Sequence, residues 1–399
     1  MVKTQRTKPD PQCSLPASEK WQEVSFEALY MVPSRNGVYK TDEYHGRGCR
    51  IVNMGEMFGL DFISNQEMKR VFLSQAELSA NSLKDGDLLF GRRSIVEAGA
   101  GRCALVVKPL EALTFESSII RVRLDTARAN PLFYYYFFRS PAGRKGIRRI
   151  VSGTNVKGIR GSELKQLVVP LPSPQEQYII ATVLSDVDAL STSLETLIAK
   201  KCGVKTAAMQ ELLTGKRRLP GFSGKWASKD FNQAFRKVGT KLNQIQTQQY
   251  AAYGSYPVVD QGQHAIVAYS DEENKVFKCP KAGVIVFGDH TRIIKFVDFD
   301  FIVGADGTQV LEVESGSCAR FMYYQLLRKE IPSTGYNRHF KFLKEMEFDI
   351  PLYEEQTAIA AVLSDMDTEI ATLKARRDKT QALKEGMMRQ LLTGNIRLI

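Results

Sequence analysis

The chain has 399 residues, of which 43% are hydrophobic, and this is enough for two or three domains with apolar cores. Lys and Arg outnumber Asp and Glu by 55 to 44, and the net charge of +11 favours nucleic acid as a partner over an anionic membrane surface, with a merely solvated basic surface as the other alternative. The six cysteines form no C-x-x-C pair and no apolar run approaches the ~20 residues of a membrane helix, so we expect reduced thiols, no zinc site, no membrane contact and a cytoplasmic location.

The first part of the chain predicts a tail followed by a domain of short strands. Residues 1–14 are polar and contain prolines, so we expect a flexible tail. In residues 15–172, apolar stretches such as residues 86–91 are bounded by Gly, Pro or Asp, which is typical of strands and turns. The aromatic run at residues 133–138 follows Asn130 and Pro131, a helix-start signal, and its apolarity favours a core helix over a base-stacking surface.

A long helix is predicted for residues 173–215. Ser173 and Pro174 suit a helix start, Glu176 can complete a capping box, and Gly215 suits the C-terminal cap. Apolar residues at alternating spacings of three and four indicate a heptad seam, which Lys201 interrupts. The predicted seam residues that pack against a partner helix are Ile180, Val183, Val187, Leu190, Leu194 and Leu197.

The second part of the chain repeats this organisation. Residues 216–352 again contain short apolar stretches, and a second long helix is predicted for residues 353–394, with residues 395–399 as a C-terminal tail. Shifting the sequence by 179 positions aligns residues 174–219 with residues 353–398, and 19 of the 46 positions are identical. The seam of the second helix comprises Ile359, Val362, Met366, Leu373, Leu383 and Met387, with Glu369 and Arg376 interrupting it.

The repeat predicts the fold class. Two long helices with matching seams in one chain most simply pack on each other, and an antiparallel pair places one sheet-containing domain at each end. We therefore expect an α/β (α+β) protein in which two domains with small mixed or antiparallel sheets are joined by a coiled-coil spacer, with a pseudo-twofold relation between the halves.

Two groups of residues are candidates for contact with a polyanion. We selected Arg and Lys in loops beside Gly, Asn or Ser, because guanidinium groups read guanine edges and all cations bind phosphates. The candidates of the first domain are Arg92, Arg93, Arg148, Arg149, Thr154, Asn155, Lys157 and Arg160. Those of the second domain are His290, Arg292, Tyr336, Asn337, Arg338, His339 and Lys341. For any one of them a solvated surface position is the alternative.

Two enzyme hypotheses fit the sequence poorly. Asn130-Pro131-Leu132-Phe133 misses by one residue the N-P-P-[YF] turn of amino-methyltransferases, and no glycine-rich cofactor loop accompanies it. Asp260 with Glu273 and Lys275 has the outline of a metal-dependent nuclease site, but the polar surroundings favour a solvated loop. We therefore predict no catalytic residues, no metal site and no cofactor.

Four stretches in this order carry a family resemblance: PLPSPQEQYIIATVLSDVD (residues 170–188), LLTGKRRLPGFSGKW (212–226), IPLYEEQTAIAAVLSDMD (350–367) and QLLTG (390–394). Over nearly its whole length the chain resembles the specificity subunit of type I restriction-modification systems. One departure is that Tyr353-Glu354 replaces Ser173-Pro174-Gln175, which leaves the capping of the second helix open.

The resemblance implies a role for each part of the chain. The two domains become target-recognition domains, each reading one half of a bipartite asymmetric sequence in double-stranded DNA. The helix pair sets the spacer and docks two methyltransferase subunits, and restriction subunits join the complex. The resemblance also implies that this chain neither catalyses a reaction nor binds S-adenosylmethionine. The alternative is a coiled-coil scaffold that does not bind DNA.

Overall fold

The computed structural model describes residues 20–304, 306–333, 335 and 337–398. The predicted tail at residues 1–14 and the candidate Tyr336 lie outside the described residues. The chain divides into two compact units: unit 1 contains Met1–Ser193 and Arg377–Ile399, and unit 2 contains Leu194–Arg376. Each unit therefore combines one sheet-containing segment with a part of each long helix.

Unit 1 contains a mixed five-stranded sheet and smaller sheets of two or three strands. Its strands are β1 (Gln22–Ser25), β2 (Tyr30–Asn36), β3 (His45–Val52), β4 (Phe62–Ile63), β5 (Arg70–Val71), β6 (Leu88–Gly91), β7 (Arg93–Ser94), β8 (Cys103–Val106), β9 (Leu113–Phe115), β10 (Ile119–Leu124), β11 (Lys157–Gly158) and β12 (Val168–Leu171). The order of the large sheet is β2-β10-β6-β8-β4, antiparallel except for the last pair. Strands β6 and β8 are buried along their whole length, which fits their continuous apolar sequence.

The aromatic run forms a core helix of unit 1. The helices of this segment are α1 (Met54–Gly59), α2 (Gln75–Asn81), α3 (Pro131–Arg139), α4 (Pro141–Ile150) and α5 (Gly161–Leu164). The side chain of Asn130 accepts hydrogen bonds from the backbone N–H groups of Leu132 and Phe133, with Pro131 in the first turn of α3. All six aromatic residues of α3 are buried, and the ring of Phe138 lies 5.0 Å from that of Phe90. The predicted core packing is confirmed.

Unit 2 repeats the central order of strands. Its strands are β13 (Ala227–Asp230), β14 (Phe235–Val238), β15 (Tyr256–Val259), β16 (Ala268–Ser270), β17 (Val276–Phe277), β18 (Val284–Gly288), β19 (Ile294–Val297), β20 (Phe301–Val303), β21 (Thr308–Val313) and β22 (Glu347–Ile350). Its short helices are α7 (Phe231–Ala234), α8 (Ala319–Arg328) and α9 (Phe340–Leu343). The sheet β14-β21-β18-β19 corresponds to β2-β10-β6-β8, and a second sheet has the order β16-β15-β20-β17.

Two 39-residue helices, α6 (Pro174–Leu212) and α10 (Tyr353–Leu391), contribute to both units. The helix segments run antiparallel within each unit. In unit 1, Asp188 pairs with Lys384. In unit 2, Lys205 pairs with Asp367, and Lys201 Nζ lies 2.7 Å from Glu369 Oε1. The predicted fold class, small mixed sheets joined by long antiparallel helices, is confirmed.

The buried side of the long helices differs from the predicted seam. Of the predicted residues, Ile180, Leu194 and Ile359 are buried; Val183, Val187, Val362, Met366, Leu373 and Met387 are half-buried; and Leu190, Leu197 and Leu383 are exposed. Leu184 and Ile198 on α6, and Leu363 and Ile370 on α10, are buried instead.

The difference is a shift in the phase of the heptad. The buried residues Leu184 and Ile198 belong to a row that continues seven residues later at Lys205. On α10 the corresponding row, through Leu363 and Ile370, includes Lys384, and both lysines form ion pairs. Because charged residues occupy part of the true seam, a count of apolar residues alone selects the neighbouring row.

The Glu-Gln pair that begins each repeat makes similar contacts in both units. Glu176 accepts hydrogen bonds from the Trp21 indole (3.1 Å) and from the Arg397 guanidinium, which also lies over the Trp21 ring. In unit 2, Glu355 pairs with Arg218, and Arg218 lies over the Trp226 ring. We call these residues the Trp–Glu–Arg cluster of each unit.

The glutamine of each pair fixes the backbone before a core helix. Gln177 Oε1 accepts a hydrogen bond from the Asn130 N–H (2.7 Å), and Gln356 Oε1 accepts one from the Cys318 N–H (2.7 Å). Both glutamines are buried and also donate to the carbonyl oxygen of a preceding proline, Pro172 or Pro351. These contacts explain why the same two residues recur 179 positions apart.

Candidate nucleic-acid interface

Strands β7 and β11 form a two-stranded ribbon in unit 1. The pair is antiparallel, with Lys157 opposite Ser94 and Gly158 opposite Arg93. Ser152 and Gly158 exchange two backbone hydrogen bonds (2.9 and 2.8 Å), and the chain turns at Gly153, which has a φ of +105°. The ribbon therefore joins two stretches of basic sequence that are about 60 residues apart in the chain.

Most candidates of the first domain are exposed around this ribbon. Arg148 and Arg149 lie in the last turn of α4, and Arg93, Thr154, Asn155 and Arg160 are exposed as well. Lys157 is half-buried and its Nζ donates to the carbonyl oxygen of Gly153 (2.9 Å). Arg92 is half-buried and its guanidinium donates to the carbonyl oxygen of Ser117 (3.4 Å), so it supports the fold.

Three of these arginines lack side-chain partners in the part of the chain that the structure describes. Among the residues that the structure describes, Arg93, Arg148 and Arg149 form no ion pair or side-chain hydrogen bond. Other arginines of unit 1 are neutralised by carboxylates: Arg50 and Arg70 by Glu111, Arg102 and Arg139 by Asp61, and Arg123 by Asp87. An exposed guanidinium without a partner is free to donate to a phosphate or to a guanine edge.

In unit 2 a buried aspartate brings the two predicted stretches together. Asp289 follows β18, and its Oδ1 accepts a hydrogen bond from the Phe340 N–H (2.8 Å). Its carbonyl oxygen accepts one from the His339 N–H (2.8 Å) and lies 2.9 Å from His339 Nδ1. The loop after β18 and the segment before α9 are thereby adjacent.

These contacts correct the prediction for His339. Its side chain is 1% exposed, and the imidazole faces the carbonyl oxygen of Asp289. A buried imidazole held by the backbone cannot reach a ligand on the surface, so His339 has a structural role. The spacing of residues along the chain carries no information about which side of the loop faces the core.

Of the other described candidates of unit 2, two make hydrogen bonds within the fold and three are exposed on the surface. Arg292 has a φ of +63°, and its Nη1 donates to the carbonyl oxygen of Ile331 (3.0 Å). His290 is half-buried, and its backbone N–H donates to Gln261 Oε1 (3.2 Å). Asn337, Arg338 and Lys341 are exposed.

Arg338 lines a basic cavity in unit 2. The cavity has a volume of about 490 Å³, and the other charged residues that line it are Lys237, Lys241 and Asp306, so cations outnumber carboxylates by three to one. Arg338 forms no ion pair with any residue that the structure describes. The cationic lining suits an anionic ligand.

Lys295 shows the opposite case, a buried cation that serves the fold. Its Nζ donates to the carbonyl oxygens of Asp260 (2.8 Å) and His264 (2.5 Å) and lies 3.6 Å from the Asp260 carboxylate. Burial lowers the pKa of Lys295, and the charge of Asp260 opposes that effect. Asp260, which resembled a nuclease carboxylate in the sequence, is thus engaged by a lysine. Among the described residues, no group of three or more His, Cys, Asp or Glu side chains could hold a metal ion.

None of the described helices is both long and apolar enough to span a membrane.

Comparisons with known proteins give a consistent result. Residues 19–201 and 228–382 match the family model described as type I restriction modification DNA specificity domain. The chain is 29% identical over 182 residues to the type I restriction enzyme EcoKI specificity subunit of Escherichia coli K12, a match that covers 45% of this chain and 39% of that protein. It therefore spans about two fifths of the length of that relative.

Two longer matches cover most of the chain. A Methanocaldococcus jannaschii protein that carries the name of the MjaX type I restriction enzyme specificity subunit is 23% identical over 362 residues, 82% of each chain. The crystal structure of the type I restriction-modification S subunit from M. genitalium is similar with a TM-score of 0.63 at 15% identity, and covers 95% of this chain and 97% of that one. The structural similarity establishes a shared fold.

Proposed function

The chain belongs to the type I restriction-modification DNA specificity family, and from this premise we propose that it is the DNA-reading subunit of a type I restriction-modification complex. Each unit reads one half of a bipartite, asymmetric target in double-stranded DNA. The chain contributes specificity and no active site, and methylation and cleavage belong to its partner subunits. The domain boundaries that the sequence predicts, 15–172, 173–215, 216–352 and 353–394, are part of this proposal.

The observation that carries the proposal is the set of unpartnered arginines. Arg93, Arg148 and Arg149 in unit 1 and Arg338 in unit 2 are exposed and without carboxylate partners among the described residues, whereas most other arginines form ion pairs or hydrogen bonds. Exposed, uncompensated guanidinium groups supply the phosphate contacts on which DNA affinity depends.

The long helices offer a docking surface for the partner subunits of this proposal. We propose that two methyltransferase subunits dock on α6 and α10 and that restriction subunits join this core. Apolar side chains exposed on α6, Leu190 in unit 1 and Leu197 and Val204 in unit 2, support docking, because their burial in a complex is favourable. The length of the helix pair would then set the number of base pairs between the half-sites.

Salt dependence of binding tests the proposal. The complex with its methyltransferase subunits is titrated with duplex DNA by fluorescence anisotropy between 50 and 200 mM salt, a range over which six to ten phosphate contacts cost roughly 10³ to 10⁵ in affinity. Arg148→Ala with Arg149→Ala should weaken binding and flatten the slope of log K against log salt by up to about two.

The matched control replaces two paired arginines of the same unit, Arg50→Ala and Arg70→Ala, both of which contact Glu111. This control should leave the slope unchanged. A wild-type complex whose duplex affinity does not respond to salt would favour the alternative, a coiled-coil scaffold that does not bind DNA.

A further inference from the structure

The ribbon of β7 and β11 has one outward face, and its burial pattern identifies the residues on it. Side chains alternate between the two faces of a strand, and residues directly opposite each other share a face. Ser94 is buried and Lys157, opposite it, is half-buried, so this pair faces the domain. Arg93 therefore faces outward. Ile95 and Val156 lie in the bends directly beyond the Ser94–Lys157 pair, and both side chains are exposed as well.

The outward face combines apolar side chains with an unpartnered cation. Ile95 is 86% exposed and Val156 is 53% exposed, although both are fully apolar. Arg93 beside them forms no ion pair or side-chain hydrogen bond among the described residues. Large β-branched side chains in solvent contribute nothing to the core, and a ligand that covers them gains the free energy of burying their apolar surface.

The end of the ribbon is held in place by hydrogen bonds. The Val96 N–H donates to Ser94 Oγ (3.2 Å), and the Gly99 N–H donates to the carbonyl oxygen of Val96 (3.1 Å). Arg144 of α4 donates to the carbonyl oxygens of Ala98 (2.9 Å) and Ala100 (3.2 Å). The protein therefore orders the backbone on both sides of Ile95 before any ligand binds, which lowers the entropic cost of binding.

The charge around the ribbon selects the ligand. Arg148 and Arg149 in the last turn of α4 shortly precede Ser152, which is hydrogen-bonded to Gly158 of the ribbon; Lys157 lies on the inner face and Arg160 follows the ribbon, and Glu97 is the carboxylate nearest in sequence to Ile95. A ligand that covers this surface needs phosphates at its sides and flat or methyl-bearing groups at its centre. The major groove of DNA offers both, and its width of roughly 12 Å admits a two-stranded ribbon.

We infer that the outward face of the β7–β11 ribbon enters the major groove of one half-site, where Arg93 donates to the O6 and N7 of a guanine and Ile95 and Val156 contact thymine methyl groups. This inference rests on the proposed function and deepens it, because it assigns the element, the groove and the base-contacting side chains of unit 1. Arg148 and Arg149 hold the flanking phosphates.

Base preference measured with the assembled complex tests the inference. Duplexes with a randomised half-site are selected by the wild-type complex and by the Arg93→Ala and Ile95→Ala, Val156→Ala variants, and the enriched sequences are compared. Arg93→Ala should lose a guanine preference of roughly tenfold at one position. The wild-type complex should bind the selected half-site more tightly than the same half-site with uracil in place of thymine, because uracil lacks only the methyl group. The double variant should lose this preference.

The control is Leu110→Ala, which removes a similarly exposed side chain (85%) beyond the opposite end of β8. It should select the same sequences as the wild type, and thermal unfolding of all variants should be unchanged because every replaced side chain is exposed or partly exposed.

The outcomes separate the inference from the proposed function. If the wild type selects a half-site and both ribbon variants select the same one with the same thymine preference, the inference is wrong and the proposed function stands. If the wild-type complex does not bind duplex DNA, the proposed function fails. Binding of phosphatidylserine vesicles that depends on Ile95 and Val156, without any change in base preference, would assign the ribbon to a membrane surface and overturn the inference.

Discussion

At the scale of single residues, Glu176 and Glu355 show how the repeat holds each unit together. Each glutamate is buried and pairs with an arginine that follows the other long helix, Arg397 or Arg218. A buried carboxylate is tolerated only with such a partner, because desolvation of an unpaired charge is costly. Unit 1 therefore depends on the last residues of the chain.

We expect Arg397→Ala to destabilise unit 1 by about 3 kcal/mol, because it leaves the Glu176 carboxylate buried without its charge partner. Urea denaturation followed by Trp21 fluorescence measures the loss, in a Trp226→Phe background that leaves Trp21 as the single tryptophan. The control Arg389→Ala removes an exposed arginine 3.8 Å from Glu385 and should cost less than about 0.5 kcal/mol. Equal effects of the two replacements would contradict a stabilising role of the buried pair.

The sequence predicts the exposed arginines of the candidate site better than it predicts the histidine. Arg93 begins β7 and Arg148 and Arg149 lie in the last turn of α4, all three in basic stretches, and the structure leaves them exposed. His339 lies in an equally basic stretch and is buried, because a long-range hydrogen bond to Asp289 turns its ring inward. Such a contact joins residues 50 positions apart, and sequence spacing does not reveal it.

At the scale of elements, the ends of the long helices are predictable and the phase of their seam is not. The first helix is predicted at residues 173–215 and observed at Pro174–Leu212. The second is predicted at residues 353–394 and observed at Tyr353–Leu391, so each end agrees within three residues. Capping residues and glycine are local signals, so they mark the ends. The seam depends on the partner helix, where ion pairs of Lys205 and Lys384 replace apolar contacts.

The phase of the seam can be measured with two leucines three residues apart. Leu194 is 5% exposed and Leu197 is 38% exposed. Leu194→Ala should lower the free energy of unfolding of unit 2 by about 2 to 4 kcal/mol, and Leu197→Ala by less than about 1 kcal/mol. Urea titrations of both variants give the values, and a loss for Leu197→Ala as large as that for Leu194→Ala would support the seam predicted from the sequence, which contains both leucines.

The helix pair as a spacer gives a prediction about length. Removal of residues 191–197 from α6 and 375–381 from α10 takes one heptad from each helix at matching positions, judged from the pairs Asp188–Lys384 and Lys205–Asp367. The pair then shortens by about 10 Å, and the DNA spacer should shorten by about three base pairs. Methylome sequencing of cells that carry the variant complex reads the spacer directly. The length-preserving Leu197→Ala should keep the original spacer. An unchanged DNA spacer in the shortened variant would show that the length of the helix pair does not set it.

At the scale of the whole molecule, the repeat organises the chain more than any single motif does. The resemblance that the repeated stretches indicate is confirmed by the family match over residues 19–201 and 228–382. The central strand order recurs in both units although few residues outside the long helices align. Topology is preserved by buried apolar strands that many sequences can supply, whereas base contacts depend on loops in which the two units differ. The order of elements is therefore predictable from the repeat, and the target sequence is not.

The recognition segment of unit 2 should be exchangeable as a block. Strand β13 pairs with β22, with Ala227 opposite Ile350, so the two ends of residues 227–350 lie side by side. Trp226 stays outside the block, because its ring covers Gly215 and contacts Arg218. When another family member's segment replaces residues 227–350, methylome sequencing should show one new half-site, while the other half-site and the spacer stay the same. If both half-sites change, the units do not read DNA independently. If neither changes, the determinants of specificity lie outside the exchanged residues, and Arg338 and its cavity are not part of them.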